Sequence, residues 1–231
     1  QFAQAKGQLS RFMPRLKANG YQRDRAMAEI GVAYFFERRC NVRIIEWEPP
    51  GENGRKGEYL VKSSADETIF VEVKVPGWEK DIVEGEGRSS PRLFQPKYTD
   101  TEARSIGPWS VVRRAVSMAY PQLPNNIPTL VIIKADYFIE LTNHLLGVDI
   151  GLYCPAAGLR TGGYLSEDGS FVTARYHRVG AVGVLDVTLV SDGIRYSFAV
   201  FDNPNALDAV RLPSTIFPGF PRFNGSNKPD R

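Results

Sequence analysis

Apolar and polar positions change period along this chain, and the changes mark its elements. From Gln22 to Arg39, Met27, Ile30, Tyr34 and Phe35 recur at helical spacing with Ala28 and Val32 alongside. That spacing predicts a helix buried along this stripe. Leu9 to Lys17 predicts a shorter helix, weakened by Pro14 and closed by the stop signal Asn19-Gly20. Asn41 to Glu48 reads as a strand ended by Pro49-Pro50-Gly51. Glu58 to Lys62 and Thr68 to Val75 read as strands joined by the polar turn Ser63 to Glu67, which predicts a hairpin. Trp109 to Tyr120 is an amphipathic helical pattern, and Thr129 to Lys134 is the continuous β-branched run of a buried strand. Asp136 to Leu146 predicts another helix. Three further strands are expected at Phe171 to His177, Val182 to Val190 and Ile194 to Phe201, with Asp192-Gly193 as a hairpin turn.

Helix, three strands, helix, strand, helix and more strands predict an α/β or α+β domain with a mixed sheet. The expected organisation is one domain over 1–231: a core at 22–135, a strand-bearing extension at 136–202, and an irregular Pro/Asn/Gly-rich tail at 203–231. Trp78 to Ile106 has no period, and so long a loop in a compact domain is usually functional or disordered. Composition removes several classes. With 42% hydrophobic and 11% aromatic residues the chain has enough apolar surface to fold. No apolar run approaches the roughly 20 residues of a membrane span, so no membrane partner is expected. The first residues lack a signal-peptide stretch, and the start at Gln1 is what a trimmed or excised chain would show. Cys40 and Cys154 make no disulfide framework, which sets a reduced, cytoplasmic location as the expectation. Only His144 and His177 could supply imidazole, and HExxH, paired CxxC, P-loop and GxSxG motifs are absent. A net charge of +3 permits a nucleic-acid partner without requiring one.

The candidate chemistry lies in Ile69-Phe-Val-Glu-Val-Lys-Val75. Side chains alternate along a strand, so Phe70, Glu72 and Lys74 share one face. Alone, this also fits an edge strand carrying a solvated ion pair. Glu58, however, opens the preceding predicted strand, and a hairpin would bring it to Glu72. Carboxylates without histidine suit a hard cation, Mg²⁺ or Mn²⁺. A third acid, Glu29, sits in the helix among Met27, Ile30 and Val32. Helix phase leaves it either near the buried stripe or facing solvent beside Arg25.

In that order, Ala28-Glu29-Ile30, Gly57-Glu58-Tyr59-Leu60-Val61 and Val71-Glu72-Val73-Lys74 resemble the PD-(D/E)xK nuclease superfamily, with its restriction-endonuclease-like fold. Arg113-Arg114-Ala115, Pro121-Gln122-Leu123-Pro124 and Pro128-Thr129-Leu130-Val131-Ile132 look similar to the helix and strand that follow the motif there. The resemblance covers about Arg23 to Lys134 and stops short of the C-terminal strands. Glu58 stands where the superfamily usually has Asp, which changes the reach of the side chain by one methylene. The resemblance implies a divalent-metal-dependent endonuclease or exonuclease hydrolysing phosphodiester bonds, in DNA, with Mg²⁺ as cofactor and Mn²⁺ as substitute. It implies Glu58, Glu72 and the Val73 carbonyl as metal ligands, Glu29 as holder of a second ion or its water, and Lys74 as the group that positions the attacking water.

Arg113 and Arg114 are candidate phosphate contacts, and Arg92 and Lys97, interleaved with Phe94 and Tyr98, suit a nucleic-acid strand. A solvated helix face and a surface loop are the alternatives. Symmetric duplex cutting would add a homodimer. Two rival readings stand beside the enzyme: a catalytically inactive module of the same fold that binds nucleic acid or a protein, and an unrelated α/β protein with scattered acids.

Overall fold

A computed structural model of the protein describes residues 1–18, 20–75, 108–134, 148–155, 168–190 and 193–225. The expected hairpin forms from β2 (Tyr59–Lys62) and β3 (Thr68–Lys74), paired antiparallel with Tyr59 opposite Val71 and Lys62 opposite Thr68. Its turn is held by the Ser63 hydroxyl, which accepts from the Ala65 and Glu67 amides at 3.1 and 3.2 Å. β1 (Arg43–Trp47) pairs antiparallel with β2. β4 (Thr129–Lys134) runs parallel to β3, and β5 (Ala181–Val190) parallel to β4. β6 (Gly193–Asp202) returns antiparallel to β5, and β7 (Arg222–Phe223) lies parallel to β6. The result is one seven-stranded mixed sheet in the order β1-β2-β3-β4-β5-β6-β7. Two of the strands expected in the C-terminal extension, β5 and β6, thus continue the sheet of the core.

Both faces of this sheet are covered, which explains why β4 is continuously apolar from Leu130 to Ile133. On one face Val71, Val73, Leu130, Ile132, Leu185 and Val200 pack with Val32, Phe35 and Phe36 of helix α3 (Tyr21–Arg39). On the other, Phe70, Val131, Ile133, Val182 and Phe201 pack with Val112, Ala115 and Val116 of helix α4 (Pro108–Ala119) and with Val148 and Leu152 of a helix at 148–153. Two short N-terminal helices precede α3. We number them α1 (Phe2–Ala5) and α2 (Leu9–Lys17), and α2 stays helical through Pro14. Phe12 of α2 is fully buried in a small separate cluster with Ala3 and Ala26. No described helix is long and apolar enough to cross a membrane.

Three expectations need correction. In α3 the stripe is displaced: Met27 is 54% exposed and Tyr34 38%, while Ala28, Glu29, Val32, Ala33 and Phe36 are buried with Phe35. Two sets of positions on this helix satisfy helical spacing, and the one containing a glutamate faces inward. Phe171 to His177 is a turn with a 3-10 helix at Ala174–Tyr176, not a strand. There Thr173 accepts from the Arg175 amide, and Asn203 and Asn205 donate to the Tyr176 and Phe171 carbonyls, so side chains satisfy the backbone in place of a ladder. The tail is also not wholly irregular, since Arg222–Phe223 extends the sheet. The helix expected at Asp136 to Leu146 and the segment Trp78 to Ile106 lie outside the described residues.

The corrected phase of α3 makes opposite demands on two of its apolar residues. The fully buried Phe35 ring meets Phe36, Tyr196, Phe198 and Phe220 at centroid distances of 5.2 to 6.1 Å. Phe35→Ala should therefore lose about 3–5 kcal/mol in urea unfolding. Met27→Ala should change stability by no more than about 0.5 kcal/mol.

Candidate functional site at the open ends of β2 and β3

The hairpin register carries one step beyond β2, because the Glu58 amide donates to the Val71 carbonyl at 3.1 Å. Glu58 therefore enters the sheet next to Glu72, near the C-terminal end of β3. Gly57 makes this entry possible, since a Cβ there would sit 2.2 Å from Cζ of the buried Phe70 ring. Glu72 is fully buried, Glu58 is 6% exposed and Lys74 8%. Lys74 donates through Nζ to Oε1 of Glu72, so the two share a face as strand alternation required. Glu29 is fully buried on α3, and the Tyr59 hydroxyl donates to its backbone carbonyl, tying α3 to β2 at this point.

Buried carboxylates need counter-charge, and arginines supply it. Arg15 of α2 grips Glu29 bidentately, with Nη1 to Oε1 at 2.7 Å and Nη2 to Oε2 at 2.6 Å. Arg25 bridges the two acids: Nε donates to Glu29 at 3.2 Å and Nη2 to Glu58 at 2.9 Å. Arg11 of α2 reaches Glu58 at 3.4 Å and lies 3.9 Å from Glu29 through the same Nη2. Of the two alternatives for Glu29 the buried one holds and the solvent-facing one does not: its carboxylate is fully buried, and Arg25 pairs with it there.

Gln122, in the short turn after α4, completes the set. With its amide oriented to suit its neighbours, Nε2 donates to both carboxylate oxygens of Glu72 at 2.6 and 2.9 Å and to the Lys56 carbonyl at 3.2 Å, while Oε1 accepts from Lys74 at 3.3 Å. Gly51 lets this turn approach, because a Cβ there would meet the Gln122 carbonyl oxygen at 2.2 Å.

Burial raises the Glu72 carboxyl to about 7; Lys74 pulls it down and the Glu58 charge pushes it up again. Glu58 is also raised, first by burial and then by the charge of Glu29, against the opposing pull of Arg25. Burial lowers Arg25, yet its bond to Glu58 and the charges of both acids outweigh that and raise it. Glu58 is raised because it loses water beside a second carboxylate, whereas Arg25 is raised because two carboxylates outweigh its own loss of water. Arg15 is raised mainly by its hydrogen bonds to Glu29.

The oxygen-rich chemistry of Glu58 and Glu72 suits a hard cation such as Mg²⁺. As arranged, however, every one of the three carboxylates is engaged by a cationic side chain of the protein itself. Among the described residues no group of three or more His, Cys, Asp or Glu is spaced to hold a metal ion. A metal at Glu58 and Glu72 requires that Arg11 or Arg25 give up part of its contact with Glu58.

Of the residues singled out in the sequence, Glu29, Glu58, Glu72 and Lys74 come together here, and Val73 packs its side chain into the core between the last two. Arg113 and Arg114 lie on α4; Arg113 reaches the Asp168 carbonyl at 3.5 Å and Arg114 is exposed. Arg92 and Lys97 lie outside the described residues. Arg11, Arg15 and Gln122 were not foreseen as site residues. Arg11 and Arg15 stand one helical turn apart, the one signal that could have placed both on a common face.

No protein-family profile matches this chain, and no curated protein matches it. Among solved structures, one similar chain is SfsA of Pyrococcus furiosus in complex with Ca²⁺, 15% identical and with a TM-score of 0.26. The match covers 75% of this chain and 60% of that one.

The raised Glu72 carboxyl has a consequence for stability. Between its ordinary 4.5 and about 7, the folded protein holds a proton that the unfolded chain has released. Stability contributed by this group therefore falls as pH rises through that window. Glu72→Gln cannot lose the proton, so its stability relative to wild type should climb by on the order of 3 kcal/mol from pH 4.5 to above 7. Urea unfolding of both proteins in chelator across that range measures the gap, and a gap independent of pH would show that the carboxyl is not raised.

Proposed function

We propose that this protein is a divalent-metal-dependent nuclease that hydrolyses phosphodiester bonds in DNA. One observation carries the reading: Glu58, Glu72 and Lys74 meet, buried, at the adjoining ends of a β-hairpin, with Glu29 joined to Glu58 through Arg25. Phosphodiester hydrolysis needs charge neutralisation at the phosphoryl oxygens, an activated water and help for the leaving oxygen. Glu58, Glu72 and the Val73 carbonyl would hold Mg²⁺, which when bound supplies neutralising charge and activates water. Lys74 orients the attacking water and meets charge developing on the phosphoryl group, and Glu72 holds its ammonium in place. Gln122 hydrogen-bonds both members of that pair. Tyr59 keeps α3, and with it Glu29, in register with β2.

A second reading, a non-catalytic module of the same fold that binds nucleic acid or a protein partner, is favoured by a different observation. The guanidinium groups already balance Glu29 and Glu58 without any metal. The two readings part in a cleavage assay with Mg²⁺ or Mn²⁺ on plasmid and on linear DNA. The nuclease reading expects metal-dependent cleavage, reduced at least about hundredfold by Glu72→Ala or Lys74→Ala. Unchanged cleavage in either variant would refute the residue assignment. DNA affinity without calorimetric Mn²⁺ binding would establish the second reading.

A further inference from the structure

We infer that Arg11 is a phosphate-binding residue of this site, and that its guanidinium exchanges Glu58 for a phosphate of the DNA backbone. The inference rests on the reading of the site as one for nucleic acid and names the group that receives it. Three observations carry it.

The first is charge. Arg11, Arg15, Arg25 and Lys74, with Lys56 on the exposed Glu48 that Arg11 also meets, face Glu29, Glu48, Glu58 and Glu72, so five cations stand against four carboxylates. Such a cluster attracts an anion even though carboxylates lie at its centre.

The second is the unequal grip on the arginines. Arg15 is clamped bidentately on Glu29, and Arg25 bonds to two acids. Arg11 is held loosely. Its Nη2 is 3.4 Å from Glu58, and its Nε is 3.4 Å from Glu48 without hydrogen-bond geometry. Among the described residues its buried Nε and Nη1 have no hydrogen-bond acceptor at all. Buried donors without acceptors are unfavourable, and a phosphate offers oxygens in the fork geometry that a guanidinium matches.

The third is support. The Arg11 guanidinium lies over the rings of Phe12 and Trp47, at 5.1 and 5.4 Å from their centroids. This stacking holds the planar group beside Glu58 whichever anion it faces. Departure of Arg11 would also free Oε2 of Glu58, while Oε1 stays with Arg25, so arrival of the phosphate and readiness of that oxygen for a cation become one event.

The exchange predicts opposite effects of one substitution on two ligands. Arg11→Gln should weaken binding of a short single-stranded or duplex DNA about tenfold in chelator, and lower the slope of log affinity against log salt by about one. The same variant should bind Mn²⁺ alone more tightly than wild type, because Glu58 has lost a competing cation. Arg11→Lys keeps the charge and should restore most of the salt slope, and it serves as the informative variant if Arg11→Gln does not fold. Unchanged DNA affinity and salt slope would overturn the inference whatever Mn²⁺ does. Weaker Mn²⁺ binding in Arg11→Gln would overturn the exchange. DNA binding through Arg11 without any metal-dependent cleavage would leave this inference standing and remove the nuclease reading. Cleavage by wild type with DNA affinity indifferent to Arg11 would do the reverse.

Discussion

A carboxylate in a protein interior survives as an anion only beside a cation, and this structure buries three of them within one cluster. The surrounding elements can be understood as suppliers of what those groups need. Helix α2 brings Arg11 and Arg15, α3 brings Arg25 together with Glu29, β3 brings Lys74 beside Glu72, and the turn after α4 brings the Gln122 amide. None of these partners is adjacent in sequence to all the acids it serves. The cluster therefore binds the N-terminal helices, the hairpin and the α4 turn to one another, which its small apolar neighbour, Phe12 with Ala3 and Ala26, would do only weakly.

The sheet provides the rigidity that such a cluster requires. β3 lies between β2 and β4 with side chains buried on both faces, so the rotation of Glu72 and Lys74 about the strand is set by packing on two sides. The positions that break the pattern of the sheet are the ones that matter chemically. Glu58 enters just ahead of β2, where Gly57 leaves room for the Phe70 ring, and Gly51 gives the same clearance to the Gln122 turn. Polar groups that would be costly elsewhere in the core become tolerable at the strand ends because several elements converge there.

Much of this was legible in the chain. The hairpin, the buried strand β4 and the pairing of β5 with β6 followed from period and turn chemistry, and the shared face of Glu72 and Lys74 followed from strand alternation alone. The phase of α3 did not, because Met27, Ile30 and Tyr34 satisfy helical spacing as well as Glu29, Val32 and Phe36 do, and apolarity points to the wrong set when the inward position is a paired glutamate. The strand expected at Phe171 failed because Asn203 and Asn205, some thirty residues further on, satisfy the backbone there. The arginines escaped notice for a related reason. A basic residue on a short polar helix is ordinarily solvated, and only the tertiary position of α2 turns Arg11 and Arg15 toward acids that arrive later in the chain.

We propose that Glu58 and Glu72 form a cation site whose Glu58 carboxylate is engaged by protein guanidinium groups until DNA draws Arg11 away. Anomalous diffraction from a crystal grown with Mn²⁺ and a short DNA tests it directly. The account predicts a Mn²⁺ peak shared by the Glu58 and Glu72 carboxylates, with Arg11 on a phosphate oxygen. Electron density showing DNA bound, no Mn²⁺ peak between those carboxylates and Arg11 still against Glu58 would contradict it.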